Sequence, residues 1–288
     1  MRALAEYVMR GRSQAVMAAV LATGTVFFAW VGAAVIALVI LRKGPAQGSR
    51  ILAWTMLPAL VLVLVGDTGP VTTLLGTTLA ATVLRMTASW PYSLVAAVVS
   101  GLVTGLLMLT AGRAYIDEII RVLGEALSQV ASQQAPHGVV QIATPDAMQV
   151  AALLGLGNAL TVIVCLLLAR WWQAMLYNPG GFRAEFHSLK LSPPLAVALL
   201  AIGLTVSSLG GGYRLWALLF ALPFVFSGLA LIHGLAARKG LGSGWLGLFY
   251  FFLVLLDPLK AGLIVMAVAD SWLDFRGRLD RRSSPGGS

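Results

Sequence analysis

Uncharged apolar stretches alternate along this chain with short, mostly basic hinges. The run from Ser13 to Leu41 carries no charge, and neither does the run from Leu241 to Leu256. Apolar segments cover 13–28, 29–41, 51–66, 69–86, 91–111, 147–170, 193–210, 214–236, 241–256 and 258–274. The segment 147–170 approaches the roughly 20 apolar residues that cross about 30 Å of hydrocarbon. Between 112 and 146 the pattern changes. There Ile116, Ile119, Ile120, Leu123, Leu127 and Val130 recur at helical spacing among Asp117, Glu118 and Glu125. This predicts an amphipathic helix that lies flat on a membrane surface or acts as a lid or partner-docking helix. Gln133 to Thr144, with Pro136 and Gly138, reads as loop, and Arg281–Ser288 as a disordered tail.

The predicted fold class is all-α: a polytopic transmembrane helical bundle of about eight to ten membrane segments, some short or re-entrant. Residues 1–280 form one integral membrane domain, with 112–146 as an extracytoplasmic insert and 281–288 as a cytoplasmic tail. Two arms, 13–41 and 241–274, are too long for one comfortable span and too short for two full ones. Both start and finish beside basic clusters: Arg10 and Arg12, Arg42 and Lys43, Arg238 and Lys239, then Arg276 and Arg278. Cytoplasmic loops carry this excess of Lys and Arg, so each arm is expected to enter and return as a hairpin. A single long tilted helix is the alternative. With hairpins, 42–50 and 171–191 lie inside, Gly66–Gly69 and Gly210–Gly212 outside, and both termini are cytoplasmic.

Composition supports the same picture. The chain is 59% hydrophobic and 11% charged, too little charge to cover a soluble fold of 288 residues. The net charge of +9 raises the question of nucleic acid. Its placement at the ends of apolar runs, without interleaved stacking aromatics, assigns it to membrane topology instead. Cys165 is the lone cysteine, so no internal disulfide forms. The N-terminus has a signal-peptide-like start, but its apolar stretch outruns the roughly 7–15 residues of an h-region, which predicts an uncleaved first segment.

Enzyme constellations are nearly absent. His137, His187 and His233 fall on three segments, without Cys or Glu at metal-ligand spacing, and read as unrelated histidines. No Gly-rich phosphate loop ends in Lys-Ser or Lys-Thr, so the chain has no ATP motor of its own. A non-enzymatic protein without a cofactor or metal is expected. Polar residues at membrane depth are the better lead, because they are costly there and mark pathways or partners. Four are substrate-binding candidates. Asn158, flanked by Gly155 and Gly157, meets either a neighbouring helix or a ligand. Asp257 and Lys260, three apart across Pro258, pair at the turn of the second arm or simply meet water. Arg85 closes a threonine-rich segment and either snorkels or binds. Asp270 and Asp274 share a helical face beside Arg276 and Arg278, which predicts a local charge network. Finally, Ala15, Ala18, Ala19 and Ala22 form two overlapping small-xxx-small repeats, a surface on which another helix packs closely.

Two stretches are distinctive: Ala169-Arg-Trp-Trp-Gln-Ala-Met-Leu-Tyr-Asn-Pro-Gly-Gly-Phe-Arg-Ala-Glu-Phe and Ala269-Asp-Ser-Trp-Leu-Asp-Phe-Arg. In the first, Trp171 and Trp172 suit an interface belt, Asn178-Pro179-Gly180-Gly181 a turn, and Phe182 and Phe186 a return into lipid. Together they resemble the YybS-like family of bacterial multi-pass membrane proteins of unknown function, over most of the chain. That family is distantly similar to the S components of energy-coupling-factor vitamin transporters, and more broadly to MreD-type cell-shape scaffolds. The resemblance implies a bacterial inner-membrane protein that binds or transports a small molecule. It also implies that Ala15/Ala19 or Ala18/Ala22 dock a membrane partner subunit. The chain departs from S components in its greater length, extra spans and outer insert, and no vitamin-pocket motif transfers residue by residue. The alternative function is a structural or assembly scaffold of the envelope. A third, a lipid-acting enzyme, would depend on Asp257, Lys260 or Asp270. Besides the bilayer, the expected partners are a membrane subunit and a small-molecule ligand, not nucleic acid.

Overall fold

A computed structural model of the chain describes residues 1–64, 66–134 and 144–283, and among them all regular structure is helical. Of the expected loop 133–144, Gln133 and Gln134 are instead the last residues of a helix, 135–143 lie outside the described residues, and so does the tail from 284. Each of the ten apolar segments forms a helix. In chain order, α1 (Arg2–Arg10), α2 (Arg12–Thr23), α3 (Ala29–Lys43), α4 (Pro45–Leu64), α5 (Gly69–Thr87) and α6 (Trp90–Thr110) lead to the amphipathic α7 (Arg113–Gln134). Then follow α8 (Ala147–Tyr177), α9 (Gly181–Ser188), α10 (Pro193–Ser208), α11 (Tyr213–Arg238), α12 (Ser243–Leu255), α13 (Asp257–Leu273) and α14 (Phe275–Ser283). The last helix carries the first residues of the expected disordered tail, 281–283, in helical form.

By length and apolar character four helices among the described residues, α4, α6, α8 and α11, can each cross a membrane. Two bent pairs raise the number to six: α9 with α10, meeting at 65°, and α12 with α13, meeting at 113°. The expected eight to ten segments include helices too short to span alone, such as the 12 residues of α2 and the 15 of α3.

The centre of the bundle is α3. Residues Ala33–Ile40 are at most 2% exposed, and α2, α4, α5 and α8 wall them in. From Ala33 to Ile40 no side chain of this helix is polar, and none of its faces there is turned outward. The first arm is therefore a hairpin rather than a tilted rod, with α2 lying alongside α3. A Cβ on Gly32 would stand 2.9 Å from the Ala19 carbonyl, so the two backbones nearly touch. The turn between them is closed by local hydrogen bonds, although the buried Thr23 hydroxyl is left without a partner among the described residues. Gly24 N donates to Val20 O at 2.9 Å, Thr25 Oγ1 to Ala22 O at 2.8 Å, and Trp30 Nε1 to Phe27 O at 3.0 Å. Such closure is what irregular backbone needs away from water.

This packing corrects the docking expectation for α2. Ala15 and Ala19 are buried inside the chain's own core, and Ala18 and Ala22 are half-buried. The first small-xxx-small pair is thus occupied by α3 and is not open to a partner helix. Ala19→Leu is expected to destabilise the isolated protein by about 1–3 kcal/mol through overpacking. Thermal unfolding of the purified chain checks this, and an unchanged melting temperature would return the face to a partner.

One end of the bundle gathers the basic residues. Arg85 NH1 donates to Leu41 O at the C-terminus of α3, where Gln173 Nε2 also donates at 3.2 Å. The Arg42 guanidinium lies 4.1 Å over the Tyr177 ring. Arg170 pairs with Glu185 across the α8–α9 turn, and Lys190 meets Asp274 at 3.3 Å. Trp172 is fully buried here, so it belongs to the core and not to an interface belt, whereas Trp171 is 40% exposed.

Candidate functional site

Asn158 stands on α8 about 16 Å of helix below Ala147, at 1.5 Å per residue. It is 8% exposed and joins three helices. Its Nδ2 donates to Ser100 Oγ at 3.0 Å and to Thr104 Oγ1 at 2.9 Å, both on α6. Its Oδ1 accepts from Thr73 Oγ1 on α5 at 3.1 Å. Three of its four hydrogen-bonding positions are thereby filled, and one Oδ1 lone pair is left.

Glycines bring these helices close enough for such short bonds. A Cβ on Gly101 would fall 2.6 Å from Gly155 O, and one on Gly155 would fall 2.5 Å from Gly101 O. One turn further along, a Cβ on Gly105 would meet Ala151 O at 2.9 Å. The spacing Gly101-x-x-x-Gly105 against Ala151-x-x-x-Gly155-x-x-x-Ala159 is a small-residue crossing of the membrane type. Sequence reading singled out the alanines of α2 and missed this pair, although its spacing is plain in the chain.

Next to Asn158 lies a cavity of about 280 Å³, lined in part by Thr72, Thr73, Thr104 and Thr161, with Asp67 and Tyr115 towards its mouth. The hydroxyl hydrogens are already committed. Thr72 donates to Gly69 O at 3.0 Å, Thr104 to Ser100 O at 2.8 Å and Thr161 to Gly157 O at 2.8 Å. What these side chains offer inward is lone pairs, and the Asp67 carboxylate adds negative charge. The cavity is therefore rich in acceptors. Over it rests α7, whose Ile116 is fully buried while Ile119 and Ile120 pack against the core. The outer side of α7 is laced by Arg113–Asp117, Arg121–Glu118 and Arg121–Glu125 pairs. The Arg121 hydrogen bond holds the Glu118 carboxyl below its ordinary value.

The other three binding candidates are not gathered with Asn158. Arg85 caps α3 at the basic end, as described. Asp257 and Lys260 pair at 2.7 Å at the start of α13, beside the bend with α12, with side chains 92% and 50% exposed. They occupy the turn of the second arm, and neither lines a cavity described above. Asp270 is fully buried, and both its oxygens are taken: Oδ1 accepts from Phe275 N at 2.9 Å, Oδ2 from Arg276 NH2 at 2.5 Å. Arg276 NH1 also donates to His187 O at 2.7 Å, so the Asp270–Arg276 part of the expected charge network ties α9, α13 and α14 together, while Asp274 pairs with Lys190 instead.

A second, larger opening lies at the basic end. A groove of about 1140 Å³ runs between α8, α9, α11 and α12. It brings together two histidines that sequence reading took as unrelated. The His187 and His233 rings lie 6.3 Å apart, and His233 Nε2 sits 2.8 Å from the Tyr250 hydroxyl. His137 lies outside the described residues. Phe182 and Phe186 stack at 6.0 Å and line this groove, and Phe182 also meets Trp90 at 6.3 Å. No group of three or more His, Cys, Asp or Glu placed to hold a metal occurs among the described residues.

No family model, curated protein or solved structure matches this chain.

Proposed function

We propose that this protein is a non-enzymatic, small-molecule-binding subunit of a membrane transport system. The observation that carries the reading is the acceptor-rich cavity beside Asn158, set within an apolar helical bundle. Membrane interiors select against idle polar groups, so a cluster with lone pairs directed into open space suits a ligand. Its chemistry selects a small molecule rich in N–H or O–H donors, neutral or cationic because of Asp67. In this reading the basic end faces the cytoplasm of a bacterial inner membrane and both termini lie there, as the concentration of Lys and Arg favours. The cavity then opens outward beneath α7, which serves as its lid. The α2–α3 and α12–α13 hairpins enter and leave by the cytoplasmic face, giving eight to ten membrane segments. An energising partner would be a separate subunit, as the S components of energy-coupling-factor transporters have, to which the family that the stretches at 169–186 and 269–276 resemble is distantly similar.

The test is native mass spectrometry of protein purified in mild detergent, followed by thermal-shift titration with polyols, amines and vitamins. The expected result is one retained donor-rich molecule. Thr72→Val and Thr161→Val, which keep the shape and remove acceptors, should each weaken it by about 2–10-fold, the worth of one hydrogen bond. Asn158→Leu should abolish binding. Absence of any stabilising small molecule would sink the proposal.

One observation favours a scaffold instead. Helix α12 has no buried residue, and apart from Ser243 and Tyr250 its side chains are apolar. A stoichiometric protein partner cross-linking to α12, with no ligand in the cavity, would establish that reading.

A further inference from the structure

The groove at the basic end has a chemistry unlike the Asn158 cavity. Its volume of about 1140 Å³ exceeds the roughly 300–1,000 Å³ usual for small-molecule pockets. Along most of its length the walls are apolar, with Val164, Leu167 and Leu168 from α8 facing Leu246 from α12. The polar groups are Arg2, Arg183, His187, His233 and Tyr250, joined by Ser243, and no carboxylate lines it. Glu185, the nearest acid in the sequence of α9, is held by Arg170. Arg2 is shared with Glu6 at 2.8 Å, whereas Arg183 is exposed and forms no ion pair among the described residues. Arg276 and Arg238 approach from behind: Arg276 bonds the His187 carbonyl at 2.7 Å, and Arg238 NH1 bonds the Gly234 carbonyl at 3.2 Å.

Cationic and imidazole groups at the head of an apolar trough match a molecule with an anionic head and a hydrocarbon tail. We infer that this groove is a binding site for one anionic phospholipid, its phosphate set against Arg183, His187 and His233 and one of its acyl chains lying between α8 and α12. Charge complementarity selects an anionic headgroup, and the phosphate of a phospholipid is an anion that guanidinium and imidazole donors bind. The apolar surface of α12 selects the tail, since the trough it bounds continues onto a surface already suited to hydrocarbon. The bilayer supplies the ligand. The site is separate from the proposed transport cavity, and occupancy of either can be measured without the other.

The experiment uses the full chain, delipidated in nonionic detergent and examined by native mass spectrometry with added lipids. Phosphatidylglycerol and phosphatidic acid are expected to bind at one copy, about tenfold or more tighter than phosphatidylcholine of the same chain length. Arg183→Glu should remove that preference, lowering anionic-lipid affinity by at least about tenfold. Leu168→Trp, which narrows the trough but leaves every charge, should lower affinity for both lipid classes. Thr72→Val should leave lipid binding unchanged, which separates this site from the cavity. Equal binding of phosphatidylcholine, or an unchanged preference in Arg183→Glu, overturns the assignment. So does competition by inorganic phosphate at the lipid's own concentration, which would make the site one for the free anion.

Discussion

Asp270→Ala is expected to lower the stability of the protein by about 3–5 kcal/mol, the largest single-residue loss outside the glycine contact. The carboxylate has no exposed atom, and it satisfies both the Phe275 N–H and the Arg276 guanidinium. Removing it leaves a buried cation without its counter-charge, and Arg276 is itself 5% exposed. The loss then spreads, because the same guanidinium holds the His187 carbonyl and through it the position of α9. Asp270→Asn should cost less, since an amide oxygen can still accept from Phe275. The paired replacement Asp270→Leu with Arg276→Met should recover much of the deficit, as apolar substitutes for a whole ion pair commonly do. Thermal unfolding in detergent separates the three. If Asp270→Ala melts with the wild type while a biological activity disappears, the structural role fails and the lipid-enzyme reading gains the residue instead.

Gly155→Leu should be comparably severe. At this crossing α6 and α8 meet backbone to backbone, and the space for a first carbon is already taken by the Gly101 carbonyl. Overpacking alone costs about 1–3 kcal/mol. Separating the helices also stretches the bonds from Asn158 to Ser100 and Thr104, one turn away on the same face. Interhelical hydrogen bonds in membranes average about 0.6 kcal/mol each, so stability suffers less from their loss than from the steric clash. The cavity suffers more. Gly155→Ala should retain the fold and lose ligand affinity, and Gly155→Leu should lose both. Melting temperature and ligand retention, measured on the same samples, distinguish them. An alanine variant that binds normally would show that the crossing does not set the geometry of the cavity.

Element existence was legible in the sequence, and element surroundings were not. Apolar runs such as 214–236 and 241–256 announced α11 and α12, yet one packs into the core and the other has no buried residue. Hydropathy cannot separate these cases, because the wall of a helix bundle and a lipid tail are equally apolar. The span at 147–170 was extended to Tyr177 for a related reason: Arg170 ends an uncharged run, but its charge is met by Glu185 and the helix continues. Asn158 was recognisable, since an amide at membrane depth needs partners. Its partners Thr73, Ser100 and Thr104 lie 54 to 85 residues away and could not be named from spacing. The histidine pair was hidden in the same way, by a separation that only the folded chain closes. Arg85 shows the opposite case, a residue whose role as a helix cap depends on a carbonyl, which no sequence pattern displays.

The burial of α3 has a consequence for the order in which the protein can be made. This helix leaves the ribosome early, while three of its walls, α4, α5 and α8, are synthesised afterwards. Its 15 residues fall short of the bilayer thickness. Until Tyr177 has emerged, α3 therefore has neither a full span nor a finished socket. A nascent chain halted before that point displays Ala33–Ile40 as an unclaimed apolar surface, the kind of feature that membrane proteases and insertases survey. Reporter fusions placed ahead of α8 will accordingly record the orientation of an unfinished intermediate, and only fusions beyond it describe the settled protein.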